Sequence, residues 1–472
     1  MKIKHTEIEI NAENPFANCK LDREQYAYIL SDIVNAYAEG FVLAINNEWG
    51  TGKTTFIKMW QQHLINNGFK TIYFNVWEND FDNNPLVPLM SELKALTNKK
   101  NDKIFKSVVE KGAVLAKNIL PALVKSIANK HLDSETFIAT IENVTKGTTE
   151  ILEKEINEYT TKKKTVLEFK KELEKFIKET CIDKPLVFIV DELDRCRPNY
   201  AVEVLEQIKH FFSVSGIVFV LSIDKKHLAS SIKGYYGSES INTDEYLRRF
   251  IDLEYSIPKP STKQFCRYLF DYYSFNDFYS NDTRKKYSEF SEDDKLFLNI
   301  AELLFDKSNA TLRQQEKIFA LMRLILSSFS STQYAFPYLL FVLVYIKTMK
   351  NQLYQEIRSN ILDLQKLSDI LEDLLPFNSK SNYGINLPYL KALLLHFYNN
   401  NQEFLNRKKL IDTDVDGKFV CFIKSKFEKE SDSDNLANCL NHINKQPYFN
   451  DLKLNFLLNK IDLMDTVNQS NT

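Results

Sequence analysis

The sequence predicts an α/β fold built around a parallel sheet, and three observations in its first half support this. Short runs rich in β-branched and aromatic residues alternate with longer helical patterns, which is typical of βα units. The middle runs are almost continuously apolar, as expected where helices cover both faces of a sheet. A glycine-containing loop with a lysine follows the first run and precedes a helical pattern.

Five segments are expected to form the sheet. We predict strands at FVLAIN (41–46), TIYFNV (71–76), PLVFIVD (185–191), IVFVLSI (217–223) and FIDLEYSI (250–257). Each is short, apolar and followed by polar or turn-forming residues, so the order of strands along the chain follows directly from the pattern.

The loop NNEWGTGKTT (46–55) lies between the first strand and a helical pattern, KTTFIKMWQQHLINN. It follows the phosphate-binding pattern G-x-x-x-x-G-K-[ST], except that Asn47 stands where the first glycine is usual. Because asparagine tolerates a left-handed backbone, we expect Asn47 to replace that glycine at a turn. Taken alone, the altered pattern leaves a chance resemblance open.

In a working loop of this kind, backbone N–H groups surround a phosphate at the N-terminus of the helix. Lys53 then supplies a positive charge to the β- and γ-phosphates, and the hydroxyl of Thr54 ligates Mg²⁺. The residues expected to contact the nucleotide here are Asn47, Glu48, Trp49, Gly50, Thr51, Gly52, Lys53, Thr54 and Thr55.

An acidic element follows the third strand. PLVFIVDELDRCRP is a hydrophobic strand that ends in Asp191, Glu192 and Asp194. Asp191 stands where the Mg²⁺ of a P-loop enzyme is anchored, and Glu192 where a general base could polarise the attacking water. The alternative is an acidic cluster that only caps a helix. The adjacent glutamate favours the P-loop group in which an additional strand separates the loop strand from the aspartate strand.

The segment IVFVLSID (217–224) is predicted to be that additional strand. Its polar end, Ser222 or Asp224, would then sense the γ-phosphate. For Asp224 the alternative is an N-cap of the helical pattern KKHLASSI, and both roles are compatible.

Phosphoryl transfer also needs a cation for the charge that develops in the transition state. EYLRRFIDLEYSIP offers Arg248 and Arg249, as a finger acting in trans across a subunit boundary or in cis; the alternative is a surface or salt-bridged pair. Arg313 lies in the first turn of a helix in NATLRQQEKIF, from which a lid domain could reach phosphate, with a structural role as the alternative.

A long insertion separates the second and third strands, at about 86–182. Apolar residues recur in its later part at a spacing of three to four, which predicts one long amphipathic helix or two. These residues are Val166, Phe169, Leu173, Phe176 and Ile177. The charged face is expected to be solvated, with a partner-binding coiled coil as the alternative.

Strand signals almost end at Pro258 and Pro260, which predicts a first domain at 1–260 and a mainly α-helical region at 261–472. In that region EKESDSDN (428–435) is expected to form an exposed loop.

Composition excludes several classes of function. The net charge of −2 requires neither nucleic acid nor an anionic membrane as partner. The six cysteines form no C-x-x-C pair and the seven histidines no H-E-x-x-H, so a zinc or disulfide framework is not expected. The start of the chain lacks the apolar core of a signal peptide. Segment 112–130 is interrupted by polar residues, and 334–346 has only 13 residues; both are predicted as core helices, with no integral membrane span and a cytoplasmic location.

Together these segments resemble the KAP family of P-loop NTPases. The matching pieces are EWGTGKTT, YFNVWEND, IVDELDRCRP, FVLSID and EYLRRFIDLEYSIP, with NPFANCKLDREQYAYIL upstream. They cover roughly 14–260, and TLRQQEKIF matches a later segment more loosely. Two positions depart from the family pattern, Asn47 in the loop and Glu192, where many relatives have a second aspartate.

The resemblance implies a P-loop NTPase of the additional-strand, catalytic-glutamate class, with a three-layer parallel sheet and with ATP and Mg²⁺ as cofactors. Many relatives carry transmembrane helices where this chain has its insertion, whose polar interruptions here indicate a soluble version. Members of the family are known from membrane-associated signalling and from bacterial, plasmid-borne and phage-exclusion settings.

Three functions follow as hypotheses. The first is a Mg²⁺-dependent ATPase that drives conformational change in a multi-protein assembly of anti-phage defence, as a homo-oligomer with partners from a defence-type operon. The second is an ATP-dependent switch or scaffold with slow turnover that presents the helical C-terminal region to an effector. The third is a DNA motor or loader, but the best basic stretch, KKKTVLEFKK, is interleaved with glutamate, so nucleic acid is unsupported as a partner.

Overall fold

The computed structural model describes residues 8–81, 84–118, 148–376, 385–426 and 430–469. Their contacts divide the chain into two compact units, an N-terminal unit that ends at Lys259 and a C-terminal unit that begins at Pro260.

The N-terminal unit contains a five-stranded sheet in which all neighbouring strands are parallel. The strands are β1 (Val42–Asn46), β2 (Lys70–Asn75), β3 (Leu186–Asp191), β4 (Ile217–Ile223) and β5 (Leu253–Tyr255). Their order is β2-β3-β4-β1-β5, so β4 separates β1 from β3. This confirms the predicted additional strand, and every residue of β3 and β4 is buried, as their continuous apolar sequences indicated. The fifth strand is shorter than the predicted 250–257.

Helices cover both faces of this sheet. They are α1 (Glu24–Ala36), α2 (Lys53–Asn66), α3 (Leu86–Lys94), α4 (Asp102–Asn118), α5 (Thr148–Thr180), α6 (Pro198–Gln207), α7 (Lys225–Tyr236) and α8 (Thr243–Leu247). On one face α1 and α2 bury Leu30 and Phe56 against alternate residues of β1, β3 and β4. On the other face α5 and α6 bury Phe176 and Tyr200 against the remaining residues of the strands. The three-layer α/β prediction is confirmed.

The insertion between β2 and β3 contains α3, α4 and α5. The predicted amphipathic stretch is a single helix, α5, and its residues Phe169, Leu173 and Phe176 are fully buried. It packs on α4, where a Cβ on Gly112 would lie 3.5 Å from the Phe169 ring. The chain from 119 to 147 lies outside the described residues, and so does most of the candidate span at 112–130.

The C-terminal unit is mainly helical, as predicted. Its helices are α9 (Thr262–Tyr272), α10 (Asn276–Tyr279), α11 (Asp293–Ser308), α12 (Leu312–Leu326), α13 (Pro337–Met349), α14 (Asn351–Arg358), α15 (Leu364–Leu374), α16 (Leu387–Asn399), α17 (Glu430–Asn444) and α18 (Asn455–Gln469). A short antiparallel hairpin joins β6 (Ile411–Thr413) to β7 (Phe419–Cys421).

Two predictions about this unit are settled by its helices. The apolar stretch 334–346 forms most of α13, which is buried on all sides and is a core helix. Within the part of the chain that the structure describes, no helix is long and apolar enough to cross a membrane. The loop prediction for EKESDSDN is wrong from Glu430 onward, because α17 begins there and runs through the serine and aspartate residues.

Candidate active site at the carboxyl edge of the sheet

The loop after β1 forms one wall of a cleft at the carboxyl edge of the sheet. The cleft is lined by Glu48, Trp49, Gly50, Gly52, Lys53, Thr54, Thr55, Asp191, Glu192, Asp194 and Arg195. Gly50 and Gly52 have φ angles of 77° and 76°, which side chains other than glycine rarely adopt. Gly52 directly precedes α2, so the first N–H groups of this 14-residue helix face the loop.

Arg23 holds the loop from its outer side. Its guanidinium donates to the carbonyl oxygens of Thr51 at 2.7 Å and Gly52 at 3.1 Å, and the residue is only 4% exposed. Burial lowers the pKa of Arg23. The Thr51 hydroxyl donates to the Glu48 carbonyl at 2.9 Å, across the loop. The Thr51 side chain thus fixes the turn, and the predicted contact of Thr51 with nucleotide stays a prediction.

The expectation for Asn47 is wrong in its physical reason. Asn47 is not among the residues with positive φ, so it does not replace a glycine in a left-handed turn. Its amide group forms two hydrogen bonds with the backbone of Ile257: the side-chain NH₂ donates to the carbonyl at 2.8 Å, and the side-chain oxygen accepts from the N–H at 3.0 Å. Asn47 therefore ties the loop to the segment after β5, and it does not line the cleft.

Lys53 lies at the centre of the cleft and is 9% exposed. Its Nζ donates to the Asn47 carbonyl at 3.1 Å. Burial lowers the pKa of Lys53, and the carboxylates of Asp194, Asp191 and Asp224 oppose that shift. The lysine therefore lies in an acidic surrounding, and its contact with phosphate stays a prediction.

Asp191 ends β3 and is fully buried. One of its oxygens accepts from the Glu192 N–H at 2.9 Å, and the other accepts from the Tyr73 hydroxyl at 2.9 Å. Burial, together with this contact, raises the pKa of Tyr73. Since each carboxylate oxygen accepts more than one bond, Asp191 retains lone pairs for a cation, and the Thr54 hydroxyl lines the same cleft.

Glu192 follows with a φ of 64°, a left-handed conformation that is uncommon outside glycine. Its carboxylate lies 2.8 Å from the Arg195 guanidinium and also interacts with the side chain of Asn75, at the end of β2. Burial raises the pKa of Glu192, the carboxylates of Asp191 and Asp194 add to that effect, and Arg195 opposes it. A carboxylate with a raised pKa in a cleft is suited to accept a proton near neutral pH.

Asp224 has the predicted capping role. Its carboxylate accepts from the N–H groups of Lys226 and His227, and it also accepts from the Trp49 N–H at 3.1 Å. Ser222 is buried in β4 directly beside Asp191, and its hydroxyl has no hydrogen-bond partner among the described residues. Neither residue lines the cleft, so their roles as γ-phosphate sensors stay predictions.

Comparison of the sequence with known families decides the class of this site. The sequence profile of the KAP family P-loop domain matches residues 23–329, which is more than half of the 472-residue chain. The chain belongs to the KAP family. The predicted resemblance is confirmed, and the KAP match continues past Lys259 to include α9–α12 of the C-terminal unit.

Other comparisons add little. No curated protein sequence matches the chain. Among solved structures, it is similar to the ORC2 protein of Aeropyrum pernix in ADPNP–ADP complexes, with a TM-score of 0.34 and 12% identity, covering 89% of this chain and 94% of that one. A DNA replication initiation factor gives a TM-score of 0.27 and 10% identity, covering 82% and 97%. Similarities this low carry no argument about function.

The two predicted arginine fingers of this KAP protein do not lie near the cleft of the same chain. Arg248 and Arg249 are exposed and precede β5, where Asp252 pairs with Val42 at the amino end of β1. The cleft lies beyond the carboxyl end of β1, about 16 Å away along five residues of strand. The cis alternative is therefore not supported. Arg313 occupies the first turn of α12 as predicted, and its contact with phosphate stays a prediction.

Several residues of the KAP site were not predicted from the sequence. Tyr73 could have been found, since it lies on β2 opposite Ile189, two positions before Asp191 and on the same face. Arg23 and Asn75 gave no local signal, because their partners are distant in sequence. Trp49 was predicted as a nucleotide contact; its indole stacks on the His227 ring with 3.6 Å between centroids and donates to Asp194.

Proposed function

We propose that this KAP protein binds Mg²⁺-ATP in the cleft and hydrolyses it. The observation that carries the proposal is Glu192, held at the end of β3 with a left-handed backbone and its carboxylate in the same cleft as Lys53. A strained conformation at such a position is typical of functional sites. The choice of ATP among nucleotides rests on the family.

The charges of the cleft favour a nucleotide that arrives with a metal ion. Four carboxylates, those of Asp191, Glu192, Asp194 and Asp224, lie around Lys53 or line the cleft with it. The described residues form no cluster of three or more side chains able to hold a metal by themselves. Mg²⁺ needs no such cluster, because one or two protein ligands, waters and phosphate oxygens suffice. Asp191 and Thr54 would hold it, and when bound it neutralises the phosphates.

The protein's own groups then have distinct roles. The loop N–H groups at the start of α2 and Lys53 bind and orient the phosphates, since Lys53 and the glycines of the loop line the cleft. Tyr73 fixes Asp191 through its hydroxyl. Glu192 accepts the proton of the attacking water, and its raised pKa suits that transfer.

Measurement of turnover and binding tests this proposal. In Glu192→Gln we expect turnover to fall by about 100-fold or more while Mg²⁺-ATP still binds, because only the proton acceptor is lost. Lys53→Ala should weaken ATP binding itself. Unchanged binding in Lys53→Ala would contradict the assignment of the loop, and full turnover in Glu192→Gln would contradict the assignment of the base.

We also propose that hydrolysis drives a conformational change in a homo-oligomer. The arginine pair precedes β5 near the amino ends of the strands, and the cleft lies beyond their carboxyl ends, so one copy supplies Arg248 or Arg249 to another through a head-to-tail contact. The anti-phage role and the partner proteins rest on the family alone. The test of that role is phage plating on cells that carry the gene with its neighbours, compared with the Glu192→Gln variant.

One observation favours the second candidate, a slow-turnover switch. In this structure Glu192 Oε1 lies 2.8 Å from Arg195 Nη1, so the proposed base is already engaged in an ion pair. Turnover near that of Glu192→Gln, together with tight ATP binding, would favour the switch over the ATPase motor.

A further inference from the structure

Arg195 occupies an unusual place in the cleft. It ends the short 3₁₀ turn Leu193–Arg195 after β3, and its side chain is 35% exposed. The guanidinium lies near two indoles, 6.0 Å from the ring centroid of Trp49 and 5.7 Å from that of Trp77. Both distances are within the range of cation–π attraction.

This guanidinium also neutralises the proposed base. Its Nη1 lies 2.8 Å from Glu192 Oε1, and the Arg195 N–H donates to the Glu192 carbonyl at 3.1 Å. The ion pair engages Oε1, one of the two carboxylate oxygens of Glu192.

The cleft offers the same guanidinium a stronger anion when a nucleotide binds. Arg195 and Glu192 both line the cleft with Lys53, which meets the β- and γ-phosphates in a loop of this kind. The planar fork of arginine matches phosphate oxygens as well as a carboxylate, and a terminal phosphate carries more charge. The attraction between the guanidinium and the two indoles does not depend on Glu192, so it can retain Arg195 in the cleft when that ion pair breaks.

We propose that Arg195 is a two-position cation: without nucleotide it holds Glu192, and with a nucleoside triphosphate in the cleft it pairs with the terminal phosphate and frees Glu192. The inference rests on the proposed ATPase function. It makes the base available only when a third phosphate is present, because a diphosphate leaves Arg195 on Glu192.

Binding measurements test the phosphate position of Arg195. By calorimetry with Mg²⁺ and either a non-hydrolysable ATP analogue or ADP, Arg195→Ala should lower the preference for the triphosphate by roughly tenfold, the size of one charge-assisted hydrogen bond. Arg197→Ala, two residues away and paired with Asp80, is the matched control and should leave the preference unchanged. An equal loss of affinity for both nucleotides in Arg195→Ala would overturn the proposal.

A double-mutant cycle tests the exchange of partners. Because Glu192 and the terminal phosphate compete for Arg195, Glu192→Gln should tighten binding of the Mg²⁺-bound, non-hydrolysable ATP analogue more when Arg195 is present than in Glu192→Gln/Arg195→Ala. Calorimetry measures the four affinities. An equal gain with and without Arg195 would contradict the exchange.

These outcomes are separable from failure of the proposed function. If the unaltered protein neither binds nor hydrolyses Mg²⁺-ATP, the ATPase assignment itself is wrong. If the unaltered protein hydrolyses ATP and Glu192→Gln does not, but Arg195→Ala keeps its preference for the triphosphate, only the role of Arg195 is wrong.

Discussion

At the scale of single residues, Glu192 combines a left-handed backbone with an ion pair to Arg195. Asp191 and Glu192 themselves are conspicuous in the sequence, as acidic residues at the end of an apolar strand. The left-handed backbone of Glu192 and its pairing with Arg195 depend on where neighbouring strands end, which the local sequence does not show. Backbone strain of this kind costs about 1–3 kcal/mol and is held in place by the surrounding structure.

Outside the cleft, Glu203 on α6 has a raised carboxyl pKa. Burial and the nearby Glu206 raise the pKa of Glu203 to about 7. The folded protein therefore binds this proton more tightly than the unfolded chain does. Stability falls as pH rises from the usual glutamate range toward 7, and it stays lower above that pH.

We predict that Glu203→Gln removes this penalty. The variant should gain about 1 kcal/mol of unfolding free energy over the unaltered protein at pH 8, and little at pH 5, where Glu203 is protonated. Denaturant unfolding at several pH values measures the difference. Glu158→Gln, on the exposed face of α5, gives the baseline. A gain for Glu203→Gln that does not depend on pH would show that ionisation of Glu203 has no part in it.

At the scale of elements, the strands were predicted well because each is a compact apolar run between polar residues. The end of the fifth strand was predicted at 257, but the strand ends at Tyr255, and beyond it the backbone of Ile257 pairs with Asn47. Its amide group pairs with the backbone of Ile257, 210 residues along the chain, and Glu48 beside it lies 3.1 Å from Lys259. No local pattern reveals a contact at such a separation, so the position looked like a missing glycine.

We predict that Asn47→Gly lowers stability and does not tighten nucleotide binding. Two hydrogen bonds are lost, each worth about 1 kcal/mol, and φ at this position does not call for glycine. Denaturant unfolding and calorimetry with Mg²⁺-ATP measure the two effects. Asn47→Asp keeps the acceptor for the Ile257 N–H and loses the donor, so its stability should lie between the two. If the glycine variant is equally stable and binds ATP more tightly, Asn47 instead weakens nucleotide binding relative to the usual loop glycine.

At the scale of the whole molecule, the sequence predicted a parallel α/β sheet with a helical insertion and a mainly helical C-terminal region. The strand order followed from one local clue, the glutamate next to Asp191, because it pointed to the P-loop group with an additional strand. The distance between Arg249 and the cleft followed only from the register of β5 on β1. Register joins segments some 210 residues apart, which composition and periodicity do not encode.

Subunit mixing tests the head-to-tail assembly. Arg249→Ala and Glu192→Gln should each have little activity alone, and their mixture should recover part of it, because an intact cleft can meet an intact arginine of another copy. ATP turnover across a series of mixing ratios measures the recovery. Arg248→Ala mixed in the same way shows which of the two arginines is required. If, for both arginines, the turnover of each mixture equals the sum of the turnovers of its two variants, no arginine is supplied from one copy to another.

The helix α5 has a mechanical consequence. It has 33 residues, or about 50 Å of length, and among its residues whose side chains the structure describes, those in the core beneath the sheet are Phe169, Leu173, Phe176 and Ile177, near its carboxyl end. That end touches the start of β4, since Ile177 lies 3.0 Å from where a Cβ on Gly216 would be. The remaining length is about 30 Å. If the helix moves as a rigid rod, a tilt of about 5° at its carboxyl end displaces the far end by about 3 Å. A movement at the edge of the sheet too small to break its packing would thus reach a distant surface enlarged several-fold.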